Sequence, residues 1–325
     1  MKTTQSNSPK STNKLRKLKL VPGISLFSLM QKFPTEEAVI KYFIESRYGK
    51  NIACHHCGCM DKLVQMEKRK KFFQCNACNN TFSIFKNTIF ENTKLDLRKW
   101  MIAINHMAVT SKKGISACQL QREIEVMYST AWRLLNKIRI AMGNNANFEL
   151  FKTIVEVDET YLGGKPRKGR DRSVDDNKRG RGTKKTAVVG VLDRESGAVF
   201  THVMTENNKG KKLTGKQLLE VINKHVNENA SIITDEFRSY RILEKMGRNH
   251  FVVNHSKEYM SKEGYHTNNI ENFWSLVKRM YHGTYHKIST KYMQNYLSAQ
   301  AFTYSMRFDM DKIFDTVLKQ AVLEK

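Results

Sequence analysis

Two short apolar runs, TIVEVDETYLGG at residues 153–164 and SIITDEF at 231–237, decide how this chain is read. Each has the β-branched composition of a buried strand, and each carries an acid. Asp158 falls near the end of the first and Asp235 at the end of the second. Between them, TAVVGVLDRESGAVFTHVM (186–204) reads as a hairpin turning at Glu195-Ser196-Gly197, and Leu213 to Val226 has helical spacing. A helix through Tyr240 and Leu243 follows, then a strand in HFVVNH (250–255). A helix from Asn269 to His282 comes next, with Ile270, Phe273, Trp274 and Val277 on one face. A last helical stretch runs from Thr290 to Lys319. Strands alternating with helices predict an α/β domain over 149–325.

Charge sets the context for those acids. The chain has 325 residues with 56 Lys and Arg against 31 Asp and Glu, a formal charge of +25 and a pI near 9.8. Such an excess points to a polyanion, because cations that bind nucleic acid release its counterions. No apolar run is long enough for a transmembrane helix, and the basic N-terminus lacks the apolar core of a secretory signal. No membrane partner and a cytoplasmic, nucleoid-associated setting are expected. The tail (1–23) reads as a flexible basic segment. A second basic stretch, GKPRKGRDRSVDDNKRGRGTKK (164–185), has almost no apolar residues and reads as a mobile loop.

In so basic a chain, carboxylates within apolar strands need compensation, since burying them unpaired is costly. Adjacent strands of a ribonuclease-H-like sheet would bring Asp158 and Asp235 together to hold Mg2+ (or Mn2+). A third acid from a helix would complete the set. Glu271 fits, lying on the helix that starts at Asn269, with 35 residues between Asp235 and itself. Lys278 is seven residues further, on the same helical face, where it and the adjoining Arg279 could meet DNA. Glu156, Glu159 and Glu236 are neighbouring acids that the pattern does not favour as ligands.

Five of six cysteines lie between Cys54 and Cys78. Cys54, Cys57, Cys75 and Cys78 form C-x2-C-x17-C-x2-C, two knuckles that each turn a pair of thiolates toward one ion. A zinc ribbon over 50–92, holding one structural Zn2+, follows from this spacing. Four thiolates leave no open coordination position. His55 and His56 are alternative donors, and Cys118 reads as a small core residue. Ahead of the ribbon, 24–49 has helical spacing with a start at Thr35–Glu36.

Between ribbon and α/β domain, 93–148 reads as helical. In GISACQLQREIEVMYSTAWRLLNKIRIAM (114–142), Ser116 can cap a first helix and Ser129 a second, with Val126 to Tyr128 as the turn. This resembles a helix-turn-helix, with Lys112, Lys113, Arg133, Lys137 and Arg139 able to face phosphates; a plain helical hairpin is the alternative.

Taken in order, the CxxC pairs, FSIFKNTIFENTKLDLRKW, GISACQLQREIEV, TAWRLLNKIR, VDETYLGGK, ITDEFRSY and HTNNIENFWSLVKRMYHGTYHKIS resemble the ISXO-like insertion-sequence transposases related to the Merlin elements. The resemblance runs from about Pro34 to Phe308. It implies a zinc ribbon, a helical DNA-binding region and a ribonuclease-H-like DDE domain. It also implies Asp158, Asp235 and Glu271 as the catalytic acids, with Asn268 and Asn269 as alternatives for the third, because some relatives carry Asn there. Double-stranded DNA, at element ends and target, is the implied partner, and a dimer or higher assembly on DNA is expected. The family's Arg-Asn ending of the final helix has only a loose counterpart in SMRFDM (305–310).

Overall fold

The computed structural model describes residues 24–49, 51–110, 113–144, 150–163, 185–204, 213–253 and 265–322. The N-terminal tail, Lys112 and the basic stretch up to Lys184 lie outside the described residues.

The chain enters through α1 (Leu26–Lys32) and α2 (Glu36–Tyr48). Thr35 caps α2, its hydroxyl accepting from the Ala38 amide at 3.3 Å. Strands β1 (Leu63–Gln65), β2 (Phe72–Cys75) and β3 (Thr81–Ser83) form a small antiparallel sheet in that order. After it come α3 (Leu97–Asn105), a π-helical turn to Thr110, α4 (Ala117–Glu123) and α5 (Tyr128–Gly143). Ser116 caps α4 as expected, accepting from Gln119 at 3.1 Å. Ser129 does not cap α5: the cap position lies two residues earlier, at Met127, which makes no side-chain cap. Cys118 is exposed on α4 and not in the core.

The α/β unit is a five-stranded sheet built from β4 (Ile154–Leu162), β5 (Thr186–Asp193), β6 (Val199–Val203), β7 (Ser231–Asp235) and β8 (His250–Val253). Its order is β6-β5-β4-β7-β8. The first three strands form an antiparallel meander; β7 and β8 then join on the other side of β4, parallel to it. The alternation of strands and helices predicted the α/β unit, and this strand order is that of the ribonuclease-H-like sheet expected from the paired acids and the family resemblance. The hairpin turn falls where expected, with Gly197 at φ +68 closing it.

Two layers cover the sheet. Val155, Val157, Val189, Val191 and Ile232 pack against Leu218, Val221 and Ile222 of α6 (Gly215–His225) and Leu243 of α7 (Arg241–Lys245). On the other face, Val188, Leu192, Val199 and Val203 meet α8 (Asn268–Arg279) and α9 (Thr290–Ser305). The stripe Ile270, Phe273, Trp274 and Val277 is buried as predicted, each side chain contributing about 2 kcal/mol by leaving water.

The last helical stretch is not continuous. α9 ends at Ser305, turns link Met306 to Asp309 and Asp309 to Lys312, and α10 (Ile313–Val322) then sets off separately. The break lets Ile313, Phe314, Val317, Leu318 and Ala321 enter the core formed by α2, α3 and α5. There the Ile89 amide donates to the Ala321 carbonyl. A helix expected to close the α/β domain instead packs with the N-terminal helices.

Candidate active site and zinc site

Asp158 is the middle residue of β4 rather than near its end, because β4 runs on to Leu162 beside β5. Its pairing with β7, however, stops at Glu156 opposite Ile233. Two residues further along these parallel strands stand Asp158 and Asp235. Both acids therefore lie just past the end of the β4–β7 ladder, where the strands no longer bond and a cation can approach. The Asp235 carboxylate accepts from the Phe237 amide at 3.0 Å, which fixes its direction at the strand exit.

Glu271 joins them from α8, whose approach depends on a glycine. Asp158 is paired with Gly190 on β5. A Cβ at Gly190 would lie 2.5 Å from Trp274 Cζ2 and 3.0 Å from Ile270 Cδ1. Only a bare backbone lets α8 sit so close to the sheet.

Together these acids act on one another. Burial, then the charges of Glu159, Asp235 and Glu271, push the Asp158 carboxyl up to about 8. Burial and like charge both disfavour the ionised form, and a bound cation would offset both. Their oxygens are more widely spaced than a closed cage: among the described residues, the four cysteines alone bring three or more His, Cys, Asp or Glu donor atoms within 4.8 Å of one another. Hard oxygen donors beside a gap in the sheet suit Mg2+ or Mn2+.

Two nearby acids are held in hydrogen bonds. Glu159 accepts from the buried Tyr240 hydroxyl at 3.0 Å. Glu156 is fully buried and accepts from Arg194 Nε at 2.7 Å, Asn269 Nδ2 at 2.8 Å, and the Asn269 and Ile270 amides, both at 3.0 Å. Arg194 also donates to the His266 carbonyl. Sequence reasoning set Glu156 aside as a ligand and assigned it nothing else. One signal was available: Glu156 and Asp158 alternate by two, so both project from one face of β4.

The basic residues divide. Lys278 and Arg279 are exposed at the C-terminal end of α8, and Arg133 is exposed on α5. Lys137 is half-buried and donates to the Ile89 carbonyl at 2.8 Å. Arg139 cannot meet phosphate in this structure, which corrects that expectation. It is buried, its guanidinium 3.8 Å from the Tyr296 ring centroid and 5.2 Å from that of Tyr285. The cause is its helical position, four residues after Leu135 and three before Met142, both of them buried.

In the ribbon, Cys54 Sγ lies 3.7 Å from Cys78 Sγ, and Cys57 Sγ lies 3.6 Å from Cys75 Sγ. Zn–S bonds of about 2.3 Å in a tetrahedron require sulfurs about 3.8 Å apart. Each knuckle turns through a left-handed residue, Gly58 at φ +73 and Asn79 at φ +56. The four cysteines thus fit a structural zinc. His55 is engaged elsewhere, its Nε2 2.9 Å from the Tyr48 hydroxyl and its ring stacked on Phe82.

Comparison with known proteins finds a match to each of these two units. Residues 151–305 match the model of the ISXO2-like transposase domain, and residues 34–81 that of the transposase zinc-ribbon domain. The chain belongs to this transposase family. It is 27% identical over 261 residues to an uncharacterized protein in transposable element ISH50 of Halobacterium salinarum, covering 77% of this chain and 84% of that protein. An uncharacterized transposase-like protein of Haemophilus influenzae is 39% identical over 62 residues, 19% of this chain and 50% of that one. Among solved structures, a chain of a simian T-cell lymphotropic virus intasome in complex with PP2A regulatory subunit B56 gamma is 16% identical, with a TM-score of 0.27, over 58% of this chain and 61% of that one. A chain of the Mos1 transposase paired-end complex is 12% identical, with a TM-score of 0.20, over 60% and 74%. Neither superposition is close. Among the described residues, no helix is long and apolar enough to cross a membrane.

Proposed function

We propose that this transposase is a DDE-type enzyme in which Asp158, Asp235 and Glu271 hold Mg2+ or Mn2+. It cuts DNA at the ends of its element and joins the 3′-hydroxyl to target DNA. The observation that carries the reading is the placement of Asp158 and Asp235 just past the end of the β4–β7 ladder, with Glu271 of α8 near enough that its charge adds to burial and to Glu159 and Asp235 in raising the Asp158 carboxyl. Bound there, paired divalent cations would activate water or a 3′-hydroxyl and stabilise the leaving oxygen of an in-line displacement. No protein nucleophile is needed.

Each side chain then has a task. Asp158 and Asp235 form the clamp at the end of the β4–β7 ladder, and Glu271 closes it from the helix. Lys278, about 10 Å along α8 from Glu271, and Arg279 are exposed and suited to hold the phosphates on either side of the scissile bond. Arg133 on α5 extends the basic surface to the α4–α5 pair, which with the ribbon would engage terminal inverted repeats. Two ends must be held together for joining, so a dimer or larger assembly on DNA is expected.

The test is a strand-transfer assay with element-end DNA and Mg2+. Cleaved ends joined to a target support the proposal. Cleavage without joining would point to a nuclease, and binding without cleavage to a DNA-binding regulator.

A further inference from the structure

The helix that carries Glu271 is not capped by the side chain of its own N-cap residue. Thr267 stands at the N-cap position of α8 but makes no capping hydrogen bond. Its hydroxyl donates instead to Glu271 Oε1 at 2.9 Å. The amides that an N-cap normally satisfies, those of the second and third helical residues, belong here to Asn269 and Ile270. Both are taken by Glu156 Oε2, reaching across from β4.

We infer that Glu156 caps α8 from the neighbouring strand and so leaves the Thr267 hydroxyl to orient the Glu271 carboxylate. A carboxylate is the favoured acceptor at a helix N-terminus, where the unpaired amides carry partial positive charge. Arg194 on the other oxygen balances the buried charge. Glu156 lies two residues before Asp158, so one strand sets the position of two of the three acids. The bond from Thr267 to Oε1 of Glu271 fixes the direction of the carboxylate. A threonine turned back to cap its own helix would remove that anchor. Glu156 and Thr267 are therefore positioning residues that act through Glu271, and the inference rests on the reading of Asp158, Asp235 and Glu271 as cation ligands.

The test uses the full-length, zinc-loaded protein and Mn2+ alone, with binding followed by electron paramagnetic resonance. Thr267→Val keeps the shape and removes the hydroxyl, and it should weaken Mn2+ binding about tenfold. Thr267→Ser restores the hydroxyl and should stay within about twofold of the parent. Glu156→Gln should weaken binding at least as much as Thr267→Val. Unchanged Mn2+ affinity in Thr267→Val would overturn the inference, even if that variant melted at lower temperature. If Asp158→Ala bound Mn2+ as the parent does, the ligand reading itself would fall. A parent that binds Mn2+ with the expected ranking of variants, yet leaves element-end DNA uncut, would contradict only the proposed reaction.

Discussion

Gly190 on β5 stands directly opposite Asp158 on β4, and its missing side chain is the space that Trp274 fills. The first acid and the helix bearing the third are thus brought together through a residue with no chemistry of its own. Gly190→Ala should cost about 1–3 kcal/mol, the usual range for forcing an extra methyl into a packed core. It should also reduce DNA cleavage by more than stability loss explains, because α8 must shift with Trp274. Thermal melting and single-turnover cleavage below the melting range, run side by side, check this; a stable variant that cuts at the parent's rate would contradict it.

The raised Asp158 carboxyl has a pH consequence. With a folded-state value of about 8 against an ordinary value of 3.8, the folded protein holds a proton that the unfolded chain releases. This group's contribution to stability therefore falls as pH rises from about 4 to about 8. In metal-free protein, Asp158→Asn should remove that part of the decline and melt higher than the parent at pH 8. Added Mg2+ should raise the parent's melting temperature at pH 8 and leave that of Asp158→Asn nearly unchanged. Melting curves at pH 5 and pH 8, with and without Mg2+, read both effects.

The basic residues of α5 should separate by burial. Arg133→Ala removes an exposed cation, so DNA affinity should fall and the salt dependence of binding should lose about one unit of slope. Arg139→Ala removes a buried side chain that touches Tyr285 and Tyr296. It should destabilise the fold by about 2 kcal/mol or more while leaving the salt slope unchanged. Binding isotherms at several salt concentrations, paired with denaturant titrations, distinguish the two.

Cys75→Ser should release the ribbon's zinc and lower the melting temperature of the whole N-terminal core, which Cys75 shares with α2, α3 and α10. Cys118→Ser, at an exposed position, should change neither. Zinc content by mass spectrometry and melting curves of the two variants provide the comparison.

The parts legible in the sequence were those encoded by local spacing. Two CxxC pairs define a tetrahedral site whatever surrounds them, and the stripe Ile270, Phe273, Trp274 and Val277 announces its buried face. The parts that were not legible depend on partners distant in sequence. Nothing in SMRFDMDK (305–312) has the Gly or Pro that marks a helix break; α10 departs because an apolar core awaits it at α2 and α5. Glu156 looked like a spare acid because its partners come from the turn after β5 (Arg194) and from a helix over a hundred residues away (Asn269 and Ile270). Arg139 was misplaced by reading its charge before its helical phase.

In the proposed reaction Asp158, Asp235 and Glu271 bind the catalytic cations through their side chains. Replacing each in turn by cysteine and measuring element-end cleavage with Mg2+ and with Mn2+ tests it most directly, because thiolate is a poor ligand for Mg2+ and a better one for Mn2+. Asp158→Cys, Asp235→Cys and Glu271→Cys should each lose cleavage with Mg2+ and recover part of it with Mn2+, while Asn269→Cys should show no such metal switch. Parent-level cleavage with Mg2+ in any of the three acid variants, or a metal switch at Asn269 and none at Glu271, would contradict it.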